Sequence, residues 1–446
     1  MTRLLDHIPD HAYLNAQALR AAFDVQKNNH TQYPLQVNYE FHTFRLLDGG
    51  PVYYDRGIKP FFIAMAAQAQ TSPKIENHIL VSVADKYAEV AYGAGHQLVV
   101  QYPVISSLSA LQDNMLQQQQ QLKDICAQQG IGFVAIGYHP DRDAKKFHIV
   151  SKQLYHLMQQ RYQYLQGQGV SVMTNAAEVS VRLFPQSMQE FIEIWQAALL
   201  IAPYLQAAFG NSPMELGQLG HAQSIRTLRW LQVDQARTNC IKSILKKDFK
   251  IDDYIEWALG VPMFGVLREG RGIDVQFASF AQCLKNPRQY LELQDWTTHL
   301  STLYPPVRFH QGIEIRCCDT GSRAHVLALC ALLKGLLYDP AQRKTILKQF
   351  WPRDLSSFMR LFQKVGKDGL WAMCPLFEQP VWRTLQLLYK QAQQGLKNIH
   401  CHRELVYLAP FNQAIETRMS PADEITERYG RDFKSIHQLF LGLRPD

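Results

Sequence analysis

Five side chains that could do chemistry lie in the segment Asp295–Gly321 of this 446-residue chain, namely His299, Arg308, Glu314, Arg316 and Asp319. Glu314 and Arg316 alternate with isoleucines. Because residues two apart on a strand point to the same face, Glu314 and Arg316 are predicted to share a face. A carboxylate and a guanidinium placed together can form an ion pair within the sheet, or can hold a metal ion and a phosphate. Taken alone, this segment favours the ion pair.

A second candidate strand carries an acidic and an imidazole group. In LQVNYEFHTF, Asn38, Glu40 and His42 alternate with apolar residues, so all three polar side chains are predicted to point to one face. Glu40 and His42 together could bind a divalent ion. By itself, the pattern is more typical of a strand that faces solvent.

A third run, VMTNAAEVSVRLF, is predicted to form a strand over 170–184 that also carries polar residues on one face. Glu178 is the only carboxylate on its polar face, and a cross-strand ion pair near Arg182 is the simplest interpretation. The residues predicted to share that face are Thr174, Ala176, Glu178, Ser180 and Arg182.

Further along, SIRTLRWLQVDQAR is predicted to lie on a helix spanning 224–247. Arg226, Trp230, Asp234 and Arg237 then fall at i, i+4, i+8 and i+11, which places them on one stripe. Surface pairing of the aspartate with the two arginines would explain most of this pattern. Trp230 indicates in addition that one end of the stripe packs against something apolar.

The overall composition limits the kinds of partner and the cellular location that we expect. The formal charge is +7, but the richest basic patch, KSILKKDFK, is interrupted by apolar residues, so we expect no nucleic-acid partner. A positive balance suits an anionic small-molecule substrate. The eight cysteines include no CxxC motif and indicate a reducing compartment. Without a signal-peptide pattern at the N-terminus, the expected location is cytoplasmic.

Several classes of site find no support in the sequence. Neither GxGxxG nor GxxxxGK[ST] occurs, which argues against Rossmann and P-loop phosphate sites, and no GxSxG hydrolase motif is present. The apolar run AALLIAPYL is too short to span a bilayer and contains Pro203, so we expect no membrane association.

The order of elements predicts an α+β fold. Several strands alternate polar and apolar residues cleanly, which favours an antiparallel sheet with one polar face, and charged groups on that face would line a cleft. The predicted strands cover 35–46, 78–83, 97–104, 132–137, 170–184 and 307–316, and the predicted helices cover 106–129, 151–165, 187–209, 224–247 and 322–337.

Taken in order, these segments resemble the glutamate–cysteine ligase family of the plant and proteobacterial type. The resemblance runs from about Leu35 to Phe440. It is carried by GIGFVAIGYHP, KQLYHLM, NSP with the following S.R...W...D..R, YIEWALGVPMF, DWTTHLSTLYPPVR with the IEIR strand, GLLYD and TRMSPADEI.

The resemblance implies a fold similar to the catalytic domain of glutamine synthetase: a curved, largely antiparallel sheet with helices outside. It implies one catalytic domain over 1–446, with an N-terminal extension over 1–30 and a helical part over 340–446. The implied reaction is ATP-dependent. ATP phosphorylates the side-chain carboxylate of glutamate, and the amine of cysteine then displaces phosphate. The implied cofactors are ATP and Mg²⁺.

The resemblance also implies roles for individual residues. Arg316 and Arg308 would meet phosphate or the substrate carboxylate, and Lys152 and Arg316 would contact the nucleotide. The implied metal ligands are Glu40, Glu178, Glu314 and His42. The implied substrate-binding residues are Arg226, Trp230, Arg237 and Thr174.

The first third of the chain departs from the family pattern. In place of Gly-x-Glu-x-Glu the chain has Asn-Tyr-Glu-Phe-His, and two further acidic positions fall on Tyr92 and Leu98. Fewer carboxylates weaken Mg²⁺ binding, and His42 suits Mn²⁺ or zinc better. Two alternatives therefore accompany the ligase prediction: a ligase with a different acid or amine, and a catalytically silent homologue that binds a ligand or a protein.

Overall fold

The protein is described from a computed structural model that covers residues 4–7, 14–23, 32–76, 78–220, 222–286, 290–430 and 435–444. Much of the predicted N-terminal extension, residues 1–3, 8–13 and 24–30, lies outside these ranges. Within the extension, α1 begins after Asn15, whose side chain accepts a hydrogen bond from the backbone N–H of Ala18 at 2.9 Å.

The described residues form fifteen strands and eighteen α-helices. The strands are β1 Leu35–Arg45, β2 Lys74–Glu76, β3 Ile79–Ala84, β4 Glu89–Tyr92, β5 Leu98–Gln101, β6 Ile131–Val134, β7 Glu178–Leu183, β8 Met214–Glu215, β9 Gln218–Leu219, β10 Val266–Arg268, β11 Arg271–Ile273, β12 Val307–Phe309, β13 Ile313–Asp319, β14 Met373–Cys374 and β15 Gln379–Pro380. The helices are α1 Ala16–Ala21, α2 Lys59–Ala69, α3 Leu108–Gln128, α4 Gln153–Tyr164, α5 Gly169–Asn175, α6 Met188–Ala208, α7 Ile225–Trp230, α8 Gln235–Thr238, α9 Ile251–Gly260, α10 Phe280–Lys285, α11 Leu293–Ser301, α12 Arg323–Leu337, α13 Pro340–Gln349, α14 Leu355–Asp368, α15 Val381–Asn398, α16 Ala409–Thr417, α17 Pro421–Tyr429 and α18 Ile436–Gly442.

Nine strands build one sheet in the order β12-β13-β7-β1-β5-β4-β3-β2, and β6 pairs with the far end of β1. Every strand pair in the described sheet is antiparallel, as the polar and apolar alternation predicts. The predicted α+β class is therefore confirmed.

The three central strands bury their odd-numbered residues on one face. Val37 lies opposite Val181, which in turn lies opposite Ile315, so three strands present β-branched side chains to the same core. Helix α6 covers this face, and its Trp195 donates from Nε1 to the carbonyl of Val307 at 3.3 Å. The even-numbered residues point to the opposite, polar face.

The core helix α6 is apolar on nearly every side. Ser187 caps its start by accepting from the N–H of Glu190 at 3.2 Å, and the helix continues through Pro203. By length and composition it could cross a membrane, but 89% of its most apolar 18-residue window is buried inside the protein. The helix predicted over 187–209 matches α6, whereas the prediction about membranes considered only the shorter run AALLIAPYL.

A β-bulge interrupts the pairing of β13 with β7. Ile315 lies opposite Val181, but Cys318 lies opposite Val179, so β13 has one residue more than its partner between these points. Beyond the bulge Cys318 faces the apolar core and Asp319, opposite Glu178, faces the polar side.

Three of the predicted elements are corrected by the structure. The strand predicted over 170–184 begins only at Glu178, because Gly169–Asn175 form helix α5. The helix predicted over 224–247 is broken into α7, α8 and a 3-10 turn at Lys242–Leu245. The strand predicted over 307–316 is two strands joined by a turn, where Gly312 has φ 147.

Candidate active site

A cavity of about 180 Å³ lies on the polar face of the central strands, and it is called the cleft below. The sheet supplies one wall, helices α4 and α5 supply a second, and Trp230 and Tyr304 close one end. The residues that line it are Glu40, Gly93, Ala94, Gln97, Val99, Tyr155, Met158, Tyr162, Gly169, Val172, Met173, Ala176, Glu178, Trp230, Tyr304 and Arg316.

Glu178 is the charged centre of the cleft. Arg316 reaches it from the neighbouring strand, donating from Nε to Oε1 and from Nη2 to Oε2, both at 3.0 Å. Arg226, from the start of α7, donates to the same carboxylate. One carboxylate is thus shared by two fixed guanidinium groups.

Aromatic rings hold both arginines in place. The guanidinium carbon of Arg316 lies 4.7 Å from the ring centroid of Trp230 and 5.0 Å from that of Tyr304. Arg226 lies 5.6 Å from the Trp230 ring. Trp230 is itself fixed, because its Nε1 donates to the carbonyl of Tyr304 at 3.0 Å.

Glu40 meets Glu178 from the adjacent strand. Its Oε2 accepts a hydrogen bond from the backbone N–H of Glu178 at 3.0 Å. Burial, and then the negative charge of Glu178, raise the pKa of Glu40 to about 8, although Arg226 and Arg316 oppose the shift. Glu40 can therefore exchange a proton near neutral pH inside the cleft.

Glu314 does form an ion pair within the sheet, but its partner is Arg308 and not the predicted Arg316. Glu314 is paired with Arg308 of β12, which lies directly opposite it, and Arg182 approaches within 3.8 Å. Arg316 pairs instead with Glu178. Burial alone would raise the pKa of Glu314, but Arg308 and neighbouring cations hold it at about 2. Glu314 and Arg308 do not line the cleft; they lie beside it as a buried pair.

The stripe predicted on one long helix is divided by the break between α7 and α8. Trp230 lines the cleft and the buried Arg226 reaches the lining residue Glu178, whereas Asp234 accepts from Arg161 at 2.8 Å and from Arg237 at 3.0 Å. Arg237 is fully buried, donates to the carbonyls of Thr302 and Pro262, and lies over Phe264. It joins α8 to the segments that contain Thr302 and Pro262, and it does not line the cleft.

Two further predicted residues stand behind the cleft wall. Thr174 lies on α5, not on the predicted strand, and its hydroxyl donates to the carbonyl of Val170 at 3.0 Å. Lys152 precedes α4 with its ammonium 4.3 Å from the Tyr92 ring and 5.4 Å from that of Tyr155. Burial lowers the pKa of Lys152 to about 8.

His42 is separated from the other predicted metal ligands. It is completely buried, with its ring 5.3 Å from that of His139 in an edge-on arrangement. Burial and the nearby Arg142 charge lower its pKa well below the usual range. Only Glu40 and Glu178 of the four predicted ligands line the cleft.

The carboxylates in this arrangement do not form a metal site. Within the ranges that the structure describes, no group of three His, Cys, Asp or Glu side chains is placed to hold a metal ion. Glu178 and Glu314 are each engaged by arginines, which occupy the oxygens that a hard cation would need. The donor set in this conformation therefore does not fit Mg²⁺.

Sequence patterns missed the support beneath Arg226. Asp319 accepts hydrogen bonds from Ser212 at 2.6 Å and Ser224 at 2.9 Å, and lies 3.7 Å from the Arg226 guanidinium. Gln97 was also missed: it donates to the carbonyls of Thr174 at 3.1 Å and Ala176 at 2.9 Å, which ties the β4–β5 turn to α5. The Asp319 contacts depend on the bulge, and the Gln97 contacts join segments that are distant in the sequence, so neither set has a local sequence signal.

Known proteins resemble this chain over most of its length. Chloroplastic glutamate–cysteine ligase of Nicotiana tabacum is 28% identical over 331 residues, which cover 72% of this chain and 62% of the tobacco protein. The chloroplastic enzyme of Solanum lycopersicum is 25% identical over 92% of this chain and 77% of its own. A crystal structure of glutamate–cysteine ligase from Francisella tularensis in complex with AMP shares the fold. It has a TM-score of 0.57 and 9% identity, over 92% of this chain and 87% of that one.

The relatives correct one expectation. A cytoplasmic location was predicted from the N-terminus and the scattered cysteines. It is wrong by this comparison, because both plant relatives are chloroplastic proteins. The eight cysteines are nevertheless all free thiols, and seven of them are buried.

The family itself is established by the length of the match. The family described as Glutamate-cysteine ligase family 2 (GCS2) matches residues 71–439, which include the whole segment from the β4–β5 turn to the Glu178 and Arg316 strands. This agrees with the resemblance seen in the ordered sequence motifs. The chain belongs to glutamate–cysteine ligase family 2.

Proposed function

We propose that this protein is an ATP-dependent carboxylate–amine ligase that forms a γ-glutamyl amide from glutamate and cysteine or close analogues. One observation carries the proposal: two guanidinium groups, Arg226 and Arg316, meet on Glu178, and Glu178 and Arg316 line the cleft. Family membership and the small-molecule substrates of the relatives add to it.

The reaction brings the anionic oxygens of ATP and of the substrate carboxylate close together. The terminal phosphoryl group of ATP moves to the substrate's side-chain carboxylate, which leaves ADP and an acyl phosphate. The amine then attacks the acyl carbon; a C–N bond forms, the C–O bond to phosphate breaks, and the amine loses a proton. Fixed guanidinium groups stabilise the charge that develops on these oxygens.

In this mechanism the carboxylate of Glu178 and the anionic oxygens of the substrate use the same guanidinium groups. An incoming carboxylate or phosphate would take over part of the guanidinium contacts that Glu178 makes with Arg316 and Arg226. Glu40, whose pKa is raised to about 8 by burial and by Glu178, also lines the cleft, and its ionised form, which becomes more abundant as pH rises toward 8, can accept the proton from the amine.

The other predicted residues are assigned either to contacts with the substrates or to the positioning of other side chains. Arg226 and Trp230 contact the amino-acid substrate, and Arg316 contacts phosphate. Arg308 and Arg237 act as positioning residues, since their donors are used by Glu314, Asp234 and backbone carbonyls. Thr174 contributes through its backbone position at the cleft wall, and Lys152 would reach the nucleotide past Tyr155.

ATP and Mg²⁺ enter the proposal in different ways. Nucleotide binding is supported by the family and by the AMP complex of the Francisella enzyme. Magnesium, brought in with the nucleotide, would supply charge neutralisation of the phosphates. Since Glu40 and Glu178 do not fit the ion in this conformation, no step above is assigned to the metal.

We further propose a single catalytic domain. One hydrophobic core joins residues from Leu5 to Ile415, including the sheet, α6 and the C-terminal helices α12 to α16. The helical part from residue 340 therefore packs on the same core as the sheet.

A catalytically silent homologue is the second candidate, and a specific observation favours it. Glu178 is neutralised by Arg316, and acidic family positions fall on Tyr92 and Leu98. Such a protein would bind a ligand in the cleft without turning it over.

The test combines ATP, Mg²⁺ or Mn²⁺, glutamate and cysteine with the purified protein, and measures phosphate release and γ-glutamylcysteine by mass spectrometry. We expect ATP cleavage that depends on both amino acids and is lost in Arg316→Met but kept in Arg360→Met, an exposed arginine on α14. Glutamate binding without turnover would establish the silent homologue. Neither binding nor turnover, in folded protein, would overturn both candidates.

A further inference from the structure

A larger cavity, of about 550 Å³, lies on the other side of the β4–β5 turn and is called the outer cavity. The turn is shared: Gly93, Ala94 and Gln97 line the cleft, whereas His96 lines the outer cavity. The proposed ligase reaction assigns nothing to this second space.

The mouth of the outer cavity is basic. Arg56 and Lys59 stand on its rim as exposed cations, and Asp55 is the one carboxylate among the residues that line it. His148 and His78 are exposed imidazoles beside them. Arg56 belongs to a π-helical turn, Tyr54–Ile58, which leads directly into α2. This lining attracts anions.

Each of two buried groups at the inner end has nitrogen atoms without hydrogen-bond partners among the described residues. His96 is 2% exposed; its ring interacts with the backbone of Val52, but its Nδ1 has no partner, and its own backbone is left-handed, with φ 62. Arg142, 7% exposed, donates from Nη1 to the carbonyls of Gly95 at 2.8 Å and Thr174 at 2.7 Å, but its Nε and Nη2 have no partner.

No carboxylate balances the Arg142 charge within the described ranges. Its neighbours are the ring of Phe147, 4.1 Å from the guanidinium carbon, and the imidazoles of His96 and His42. Burial lowers the pKa of Arg142 to about 9. A buried cation without a counter-charge is costly, and an anion placed nearby would relieve that cost.

Aromatic rings join the buried groups to the cavity. Tyr53, which lines the outer cavity, stacks on Phe147 at 5.9 Å between ring centroids and meets His96 edge-on at 6.1 Å. His96 meets Phe147 at 5.2 Å. These contacts hold His96 between the open cavity and the Arg142 charge behind it.

We propose that the outer cavity is a second binding site, which takes a small molecule through an anionic oxygen group, a phosphate or a carboxylate. The anion is drawn in by Arg56 and Lys59 and accepts a hydrogen bond from Nδ1 of His96 when this nitrogen carries a proton, with the charge of Arg142 behind. Because Arg142 and Gln97 both fasten the β4–β5 turn to α5, occupancy of this site also steadies the wall of the cleft.

The test is calorimetric titration of the full chain in phosphate-free buffer, with inorganic phosphate as one probe and glutarate as the other. We expect at least one probe to bind with 1:1 stoichiometry, and the probe that binds identifies the anion class. The double variant Arg56→Glu, Lys59→Glu should weaken binding about tenfold or more, because two attractive charges become repulsive.

A matched control places the same charge change elsewhere. Lys364→Glu with Lys367→Glu, both exposed on α14, should leave the affinity within about twofold, since distant charges are screened. His96→Asn tests the inner end of the site separately from the rim. The proposal is overturned if neither probe binds, or if the rim variant weakens binding no more than the α14 variant does, since the probe would then bind elsewhere, for example in the cleft.

Discussion

The backbone N–H of Glu178 donates to the carboxylate of Glu40 at 3.0 Å, so two acidic residues from adjacent strands meet at one point of the cleft. Arginines neutralise the charge of only one of them. Arg226 and Arg316 engage Glu178, whereas burial and the adjacent charge of Glu178 raise the pKa of Glu40. The two carboxylates are therefore expected to behave differently.

Glu40→Gln should change how stability depends on pH. The pKa of Glu40 is about 8 in the folded protein and near 4.5 when the chain is unfolded, so folding favours its protonated form. That contribution is complete below pH 4.5 and is lost as pH rises through about 8. Urea unfolding between pH 5 and 9 should show a decline in the wild type that is smaller in Glu40→Gln. Exposed Glu76→Gln should keep the wild-type decline; an unchanged decline in Glu40→Gln would contradict the assignment.

Arg226→Lys should weaken glutamate binding and turnover, because a lysine cannot donate at the same time to Glu178 and to the carbonyl of Cys317 as the two Nη groups of Arg226 do. We expect kcat/KM to fall by about 10²-fold. Arg229→Lys is the matched control, since Arg229 lies on the same helix but pairs with Glu215 outside the cleft. Equal losses in the two variants would mean that Arg226 acts only through the stability of α7.

Glu314→Gln should destabilise the fold. It leaves Arg308 buried without its carboxylate, and breaking such a pair lowers the free energy of unfolding by about 3 kcal/mol. Chemical denaturation followed by circular dichroism measures this loss. Asp48→Asn, which breaks an exposed pair with Arg45, should leave the unfolding midpoint almost unchanged. If Glu314→Gln is as stable as Asp48→Asn, the pair is not structural.

Divalent cations should bind weakly until a nucleotide is present. Glu178 is engaged by two arginines, and Glu40 is mostly protonated below its pKa of about 8, so neither is a free ligand near neutral pH. Electron paramagnetic resonance of Mn²⁺ should show little bound ion with protein alone and more after a non-hydrolysable ATP analogue is added. Tight Mn²⁺ binding without nucleotide would show that the carboxylates rearrange readily.

Sequence alternation predicted which face each side chain takes, but not which partner it meets. Glu40, Glu178 and Arg316 all lie on the predicted polar face because the period of a strand is local. Glu314 met Arg308 instead of Arg316 because partners depend on strand order, which is a non-local property. Thr174 was misplaced because VSVM forms the helix α5, where packing against α4 and α7 outweighs the β-propensity of valine.

The extra residue in β13 also constrains how this protein can change. It turns Cys318 toward the core and Asp319 toward Arg226, so both depend on chain length and not only on residue type. A β13 of the same length without the bulge would alternate regularly, and it would place Asp319 among the valines and leave Arg226 facing a thiol. The position of Asp319 beneath Arg226 is therefore encoded in the number of residues in β13 as well as in their types.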